Sequence, residues 1–291
     1  MSMRTVDLVV APPPVHWVGD GFRVHNFFPS NPQIGFAGLS PFLMMDYNSL
    51  VDFSPREQPR GVGPHPHRGF ETVTIAYHGK VAHHDNAGNS GVIEEGDVQW
   101  MTAGSGLLHK EYHEKEFSRK GGPFQMVQLW VNLPARSKMT PPKYQALTKS
   151  MMGKVMLPND TGYFDIISGE LQGVKGPAFT FSPVHLFNGF LQPGASVELS
   201  FPAHFNAGVL VLKGSVTINN QTSVPLNHLA RLKNDGETFT IGTSESSTIL
   251  ILAGEPIQEP IASYGPFVMN TREEIEQAIL DFNSGKFGDL D

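Results

Sequence analysis

Thirty glycines and 23 prolines are spread through 291 residues, and between them the apolar residues fall into short runs rather than long helical periods. Both residue types punctuate turns and are poorly tolerated inside helices, so this spacing predicts short strands joined by tight turns. Glu71-Thr-Val-Thr-Ile-Ala-Tyr77, followed by His78-Gly79, reads as one strand and its turn. Turn formers crowd residues 82–91, where a hairpin on a barrel rim is expected. Ala207 to Ile218 and Thr248 to Leu252 read as buried strands of a second, similar region.

The length exceeds one average domain and suits two barrels of ordinary size. Residues 134–144 are polar and rich in proline, as a crossing segment would be. The expected division is therefore 1–133 and 134–291. One helix is predicted near the end. Thr271-Arg-Glu-Glu274 has a capping-box pattern, Ile275, Ala278, Ile279 and Phe282 repeat at helical spacing, and Gly285 supplies a stop. The fold class is thus all-β with a short C-terminal helix.

Composition closes several routes. A formal net charge of −7 argues against broad attraction to nucleic acid or anionic membrane. With no cysteine there are no disulfides, thiolate ligands or cysteine nucleophiles, so any metal rests on nitrogen and oxygen. The apolar run Leu8 to Ala11 ahead of Pro12 is too short for a signal or a membrane span. The expectation is a soluble, monomeric, cytoplasmic protein, or a nuclear one in a eukaryote.

The chemistry concentrates in two places. His65 and His67 lie two residues apart, so in an extended segment both rings project from one face, and His109 and Glu111 repeat that spacing. If the two strands neighbour, three imidazoles and a carboxylate converge into a site suited to iron, zinc, nickel, manganese, cobalt or copper. Glu71 shares the strand parity of His65 and His67, and spacing alone does not choose between Glu71 and Glu111 as the carboxylate ligand. His83, His84 and His113 lack the paired spacing and read as solvated loop residues. Arg56, Arg60 and Arg68 lie close enough in sequence to offset a substrate's negative charge. Phe42, Met44, Phe53 and Phe70 are candidates for a flat apolar pocket, although core packing is the commoner role for such residues.

Pro64-His-Pro-His-Arg-Gly-Phe-Glu-Thr-Val73 and Gly96-Asp-Val-Gln-Trp-Met-Thr-Ala-Gly-Ser-Gly-Leu-Leu-His-Lys-Glu111 resemble the signature of the pirin family. Pro41-Phe-Leu-Met-Met-Asp46 and Gly265-Pro-Phe-Val-Met-Asn-Thr-Arg-Glu-Glu-Ile275 extend the resemblance over nearly the whole chain. It implies two stacked antiparallel cupin barrels, with one divalent metal, Fe(II) favoured, on His65, His67, His109 and Glu111. Glu71 then becomes a residue that supports a ligand or water by hydrogen bonding. In the second barrel Ser200, Pro202 and Asn206 stand where the first has His65, His67 and Glu71, so no metal is expected there, and His204 reads as a structural histidine.

The family resemblance implies a quercetin 2,3-dioxygenase, which opens the central ring of a flavonol with dioxygen, with Glu111 or a bound water as proton acceptor. It implies as an alternative a metal-binding regulator that binds a transcription factor or a metabolic enzyme without catalysis. A sugar-directed cupin enzyme is the remote third reading.

Overall fold

The computed structural model describes residues 2–290. In chain order its first strands are β1 (Val6–Val10), β2 (His16–Val18), β3 (Phe22–Phe28), β4 (Phe42–Phe53), β5 (Gly61–His67), β6 (Phe70–His78), β7 (Val81–Asp85), β8 (Ser90–Ile93), β9 (Val98–Thr102), β10 (Leu107–His113), β11 (Gly122–Asn132) and β12 (Lys143–Leu147). The helices are α1 (Lys115–Lys120) and α2 (Arg272–Asn283). No helix among the described residues is long and apolar enough to cross a membrane.

Two compact units emerge, and neither is a simple half of the chain. One combines the segment through Pro13, Ala37–Pro41 and Ser150–Pro256; the other combines Pro14–Phe36, Phe42–Lys149 and everything from Ile257 onward. This differs from a single break at 133/134 at both ends. β1 pairs with Leu229–Leu232 late in the chain. β12, inside the expected crossing segment, completes a sheet beside β9. Strand edges left open seek partners, and sequence distance does not limit which partner they find.

The unit built on Pro14–Lys149 has a seven-stranded antiparallel sheet, ordered β12-β9-β6-β11-β4-β3-β2, and a four-stranded one, ordered β5-β10-β7-β8. This is a cupin architecture of two antiparallel sheets, as the turn-rich pattern predicts. β6 is buried through most of its length because it lies in the middle of its sheet. β7, a short turn and β8 form the expected hairpin, although its strands take in more of the turn-rich stretch than the composition suggested. α2 carries the complete capping box between Thr271 and Glu274. Its Ile275 and Ala278 pack with Leu108, Phe267, Met269 and Phe287, so the helix closes the same unit that holds His109. Phe282 stays more than a third exposed, so the buried stripe is narrower than its spacing implied.

The other unit also has a seven-stranded and a four-stranded antiparallel sheet. Its interior is apolar, with Phe164, Phe187, Phe201, Phe205 and Phe239 among the core side chains. Arg4 is fully buried beside them and donates to the carbonyls of Pro202, Phe205 and Gly236, which fastens the N-terminal segment in place.

Candidate metal centre

β5 is the edge strand of its sheet, where Pro64 and Pro66 are tolerated because one face of its hydrogen-bonding ladder is unused. It pairs antiparallel with β10 so that His65 stands opposite His109 and His67 opposite Leu107. The three imidazoles meet: ring centroids are 4.2 Å apart for His65–His109 and 4.8 Å for each of the other two pairs. One ring nitrogen from each lies within 4.8 Å of the others.

Backbone carbonyls orient two of the rings. His65 Nδ1 lies 2.9 Å from the Gly63 carbonyl and His67 Nδ1 lies 3.4 Å from that of Pro266, which directs each Nε2 inward. Both ring nitrogens of His109 are buried with no protein partner. Burial, and then the neighbouring imidazoles, hold His67 and His109 well below the ordinary histidine pKa. Both are therefore neutral at physiological pH, the state in which imidazole binds a cation.

A bulge between His109 and Glu111 resets the register, so that Glu111 pairs with Val62. Its carboxyl is held from the opposing sheet. Thr74 Oγ1 donates to Oε1 at 3.1 Å, and Gln128 Nε2 donates to Oε2 at 2.9 Å. His65, Glu111, Asp46 and Gln128 line one cavity, whose apolar wall is Val18, Phe22, Val24, Val62 and Met126. The space amounts to about 350 Å³ counted with its open mouth and is narrow, with room for roughly two water molecules.

Glu71 does not share the histidines' surface, and one glycine explains why. Gly69 adopts φ +88°, and a Cβ there would lie 1.9 Å from the Val268 carbonyl oxygen. This left-handed residue separates β5 from β6, which belong to different sheets. Strand parity is lost at that corner. Glu71 is buried opposite Thr102, whose hydroxyl donates to Oε1 at 2.7 Å, and burial pushes its pKa up to about 7.

Family models for pirin and for the pirin C-terminal cupin domain match residues 21–131 and 186–288. A Pseudomonas aeruginosa protein named "Putative quercetin 2,3-dioxygenase" is 47% identical over 272 residues, covering 94% of each chain. The chain belongs to the pirin family. Pirin-like protein 2 of Arabidopsis thaliana is 39% identical, over 86% of this pirin and 76% of the relative. The crystal structure of a quercetin 2,3-dioxygenase from Acinetobacter baumannii superposes with a TM-score of 0.93 over 100% of both chains, at 46% identity.

Several side chains of this pirin sit elsewhere than their sequence context suggested. His83 and His113 are buried strand residues, not solvated loop residues. His83 hydrogen-bonds Tyr144 at 2.6 Å, and His113 lies 2.8 Å from the Gly21 carbonyl among Phe22, Phe53 and Phe124. Burial lowers the pKa of each to about 4. His84 lies in β7 and hydrogen-bonds the Tyr112 hydroxyl at 2.9 Å.

Arg68 does not serve a substrate's charge. It is buried, donates to Asp281 at 2.9 Å and to the Ser105 carbonyl at 2.7 Å, and lies over the Phe287 ring. Arg56 pairs with Asp20 at 2.5 Å, and Arg60 donates to Ser54. Phe42, Met44, Phe53 and Phe70 are core residues, and the cavity wall is made by others. In the second unit His204 is exposed, 3.7 Å from Glu255, and Asn206 donates to the Ser40 carbonyl.

Thr74, Gln128 and Asp46 escaped sequence reading. The signal was present: each is a polar residue set between hydrophobic neighbours in a buried stretch of strand, where burial demands a partner or a purpose.

Proposed function

We propose that this pirin is a metal-dependent oxidoreductase of the quercetin 2,3-dioxygenase type, which opens the central ring of a flavonol with dioxygen and releases carbon monoxide. One divalent cation, Fe(II) favoured, would be held by His65, His67, His109 and Glu111. The observation that carries the reading is His109, a fully buried imidazole with no protein partner on either nitrogen, beside two imidazoles oriented by backbone carbonyls. A buried polar group left unpaired costs about 1–3 kcal/mol, and a cation removes that deficit at the nitrogen it binds. Three imidazole nitrogens and a carboxylate oxygen suit a first-row divalent ion.

When bound, the cation supplies Lewis acidity that lowers the pKa of the flavonol 3-hydroxyl. Glu111 accepts the proton of that hydroxyl, and Thr74 and Gln128 fix the position of its carboxyl while it does so. The apolar wall formed by Phe22, Val24 and Met126 keeps water from the ring carbons that dioxygen attacks. The relatives' names and the resemblance of the whole chain to quercetin 2,3-dioxygenases support the choice of substrate.

The test is anaerobic reconstitution with Fe(II), Mn, Co, Ni, Cu or Zn, followed by quercetin bleaching and carbon monoxide detection. Turnover is expected with at least one metal and is abolished by His65→Ala and by Glu111→Ala. No turnover with any of them overturns the reading in favour of a regulatory metal-binding protein.

A further inference from the structure

Among the described residues Asp46 and Glu111 are the acidic side chains of the cavity wall, and Asp46 belongs to a row of polar residues that crosses the sheet. β4 pairs with β3 so that Asp46 faces Asn26, and with β11 so that it faces Gln128. Gln128 in turn faces Thr74 on β6. Residues directly opposite in antiparallel strands project to the same side of the sheet. One row therefore runs Asn26, Asp46, Gln128, Thr74 across four strands. Its Gln128 and Thr74 end grips Glu111, while its Asp46 end lines the same cavity beyond that grip.

Asp46 is 7% exposed. Asn26 Nδ2 donates to its Oδ1 at 2.8 Å, and no donor among the described residues reaches its Oδ2. Among the described residues no lysine or arginine pairs with it, and His16 on β2 is the charge-bearing neighbour that favours its ionised form. A carboxyl buried with an unused oxygen is costly unless something completes it. The neighbouring wall of Val18, Phe22, Val24 and Met126 offers no donor, so the completing group comes from whatever fills the cavity.

We propose that Asp46 is a specificity-determining residue, accepting through Oδ2 a hydrogen bond from a second hydroxyl of the aromatic substrate, distinct from the hydroxyl that reacts beside Glu111. The ligand class is thus an aromatic with an apolar ring body and at least two hydroxyls. The cavity is narrow, about 350 Å³ even counted with its open mouth, so it takes the hydroxylated edge of a ring while the remaining rings lie toward the mouth. This inference rests on the ring-cleaving reading and names what that site selects.

The experiment compares quercetin with 3-hydroxyflavone, which keeps the reacting hydroxyl and lacks the others. Wild type, Asp46→Ala and Asp46→Asn are loaded with the active metal, and metal content, kcat, KM and the calorimetric Kd for each compound are measured. Asp46→Ala is expected to keep its metal, to raise KM and Kd for quercetin at least tenfold, and to leave both within twofold for 3-hydroxyflavone. Asp46→Asn turns an amide donor toward the cavity and is expected to weaken quercetin likewise, which keeps the test alive if the alanine variant misfolds. Equal weakening of both compounds, or loss of metal from a folded variant, overturns the assignment. If wild type turns over no flavonol, the ring-cleaving reading fails separately. The calorimetric comparison then decides Asp46 alone: a tenfold loss specific to quercetin upholds it and its absence overturns it.

Discussion

The two cupin units have the same pair of sheets, seven strands and four, and opposite interiors. One is filled by phenylalanine and aliphatic side chains. The other places histidines, a glutamate, a threonine, a glutamine and an aspartate in its interior, and leaves both nitrogens of His109 unpaired. The difference teaches that strand pattern sets the architecture while interior chemistry is free to diverge. Leaving both nitrogens of His109 unpaired in the first unit's interior gives up stability that an apolar side chain there would retain.

The sharpest way to break this comparison is to exchange what each interior depends on. His109→Leu is expected to abolish metal binding and any ring cleavage, a loss of at least 100-fold, while leaving the metal-free protein as stable as before or more so, because the deleted nitrogens had no partner. Phe239→Ala in the apolar unit is expected to cost about 3–5 kcal/mol and leave metal stoichiometry unchanged. Metal analysis and chemical denaturation of both variants read the outcome. A stable His109→Leu protein with full metal content would remove the contrast.

The buried Arg68–Asp281 pair comes next. It joins the corner after the ligand strand to α2, with side chains only 6% and 11% exposed. Removing one partner of such a pair costs about 3–5 kcal/mol, so Arg68→Ala should destabilise α2 and the hairpin Ala262–Met269 before the second unit. Hydrogen exchange resolves the two. Lys286 and Arg68 hold the Asp281 carboxyl well below its usual pKa. Its contribution is present above the unfolded-state pKa near 3.8 and is lost as pH falls through the lower native value. Asp281→Asn should therefore weaken the protein at pH 7 and matter less in acid.

Glu71 runs the other way. Its native pKa of about 7 lies above the ordinary glutamate value of 4.5, so its stabilising effect is full below 4.5 and disappears as pH rises through 7. Glu71→Gln should flatten that slope and stabilise the protein at pH 8 by up to about 3 kcal/mol, with metal content largely kept. Loss of metal equal to that of Glu111→Ala would make Glu71 a ligand after all. Denaturation midpoints between pH 4 and pH 8 are the measurement.

The paired histidines were legible in the sequence because an extended chain puts residues i and i+2 on one face, and β5 and β10 obey that rule. The capping box of α2 was legible because it is a local hydrogen-bond pattern. Glu71 misled because parity holds only within a strand, and Gly69 turns the corner between β5 and β6 with a positive φ. The places of β1 and α2 were hidden because each belongs with partners far along the chain. His83 and His113 were misjudged because a turn-rich stretch around the first and a charged one around the second hid two strand interiors. Asp46, Gln128 and Thr74 become related only through cross-strand register, which a single sequence does not display.

The smallest effect tests whether the second unit holds any remnant of a metal site. His204 lies near Ser200, Pro202 and Asn206, which stand where the first unit has His65, His67 and Glu71, but it is exposed and lies 3.7 Å from Glu255. An exposed ion pair of that length contributes at most a fraction of a kcal/mol, because water and salt screen it. His204→Ala is therefore expected to change stability by less than about 0.5 kcal/mol and metal stoichiometry not at all. A fall in bound metal per chain, measured by elemental analysis, would mean that the second interior also binds a cation. The contrast between the units would then be one of affinity rather than of kind.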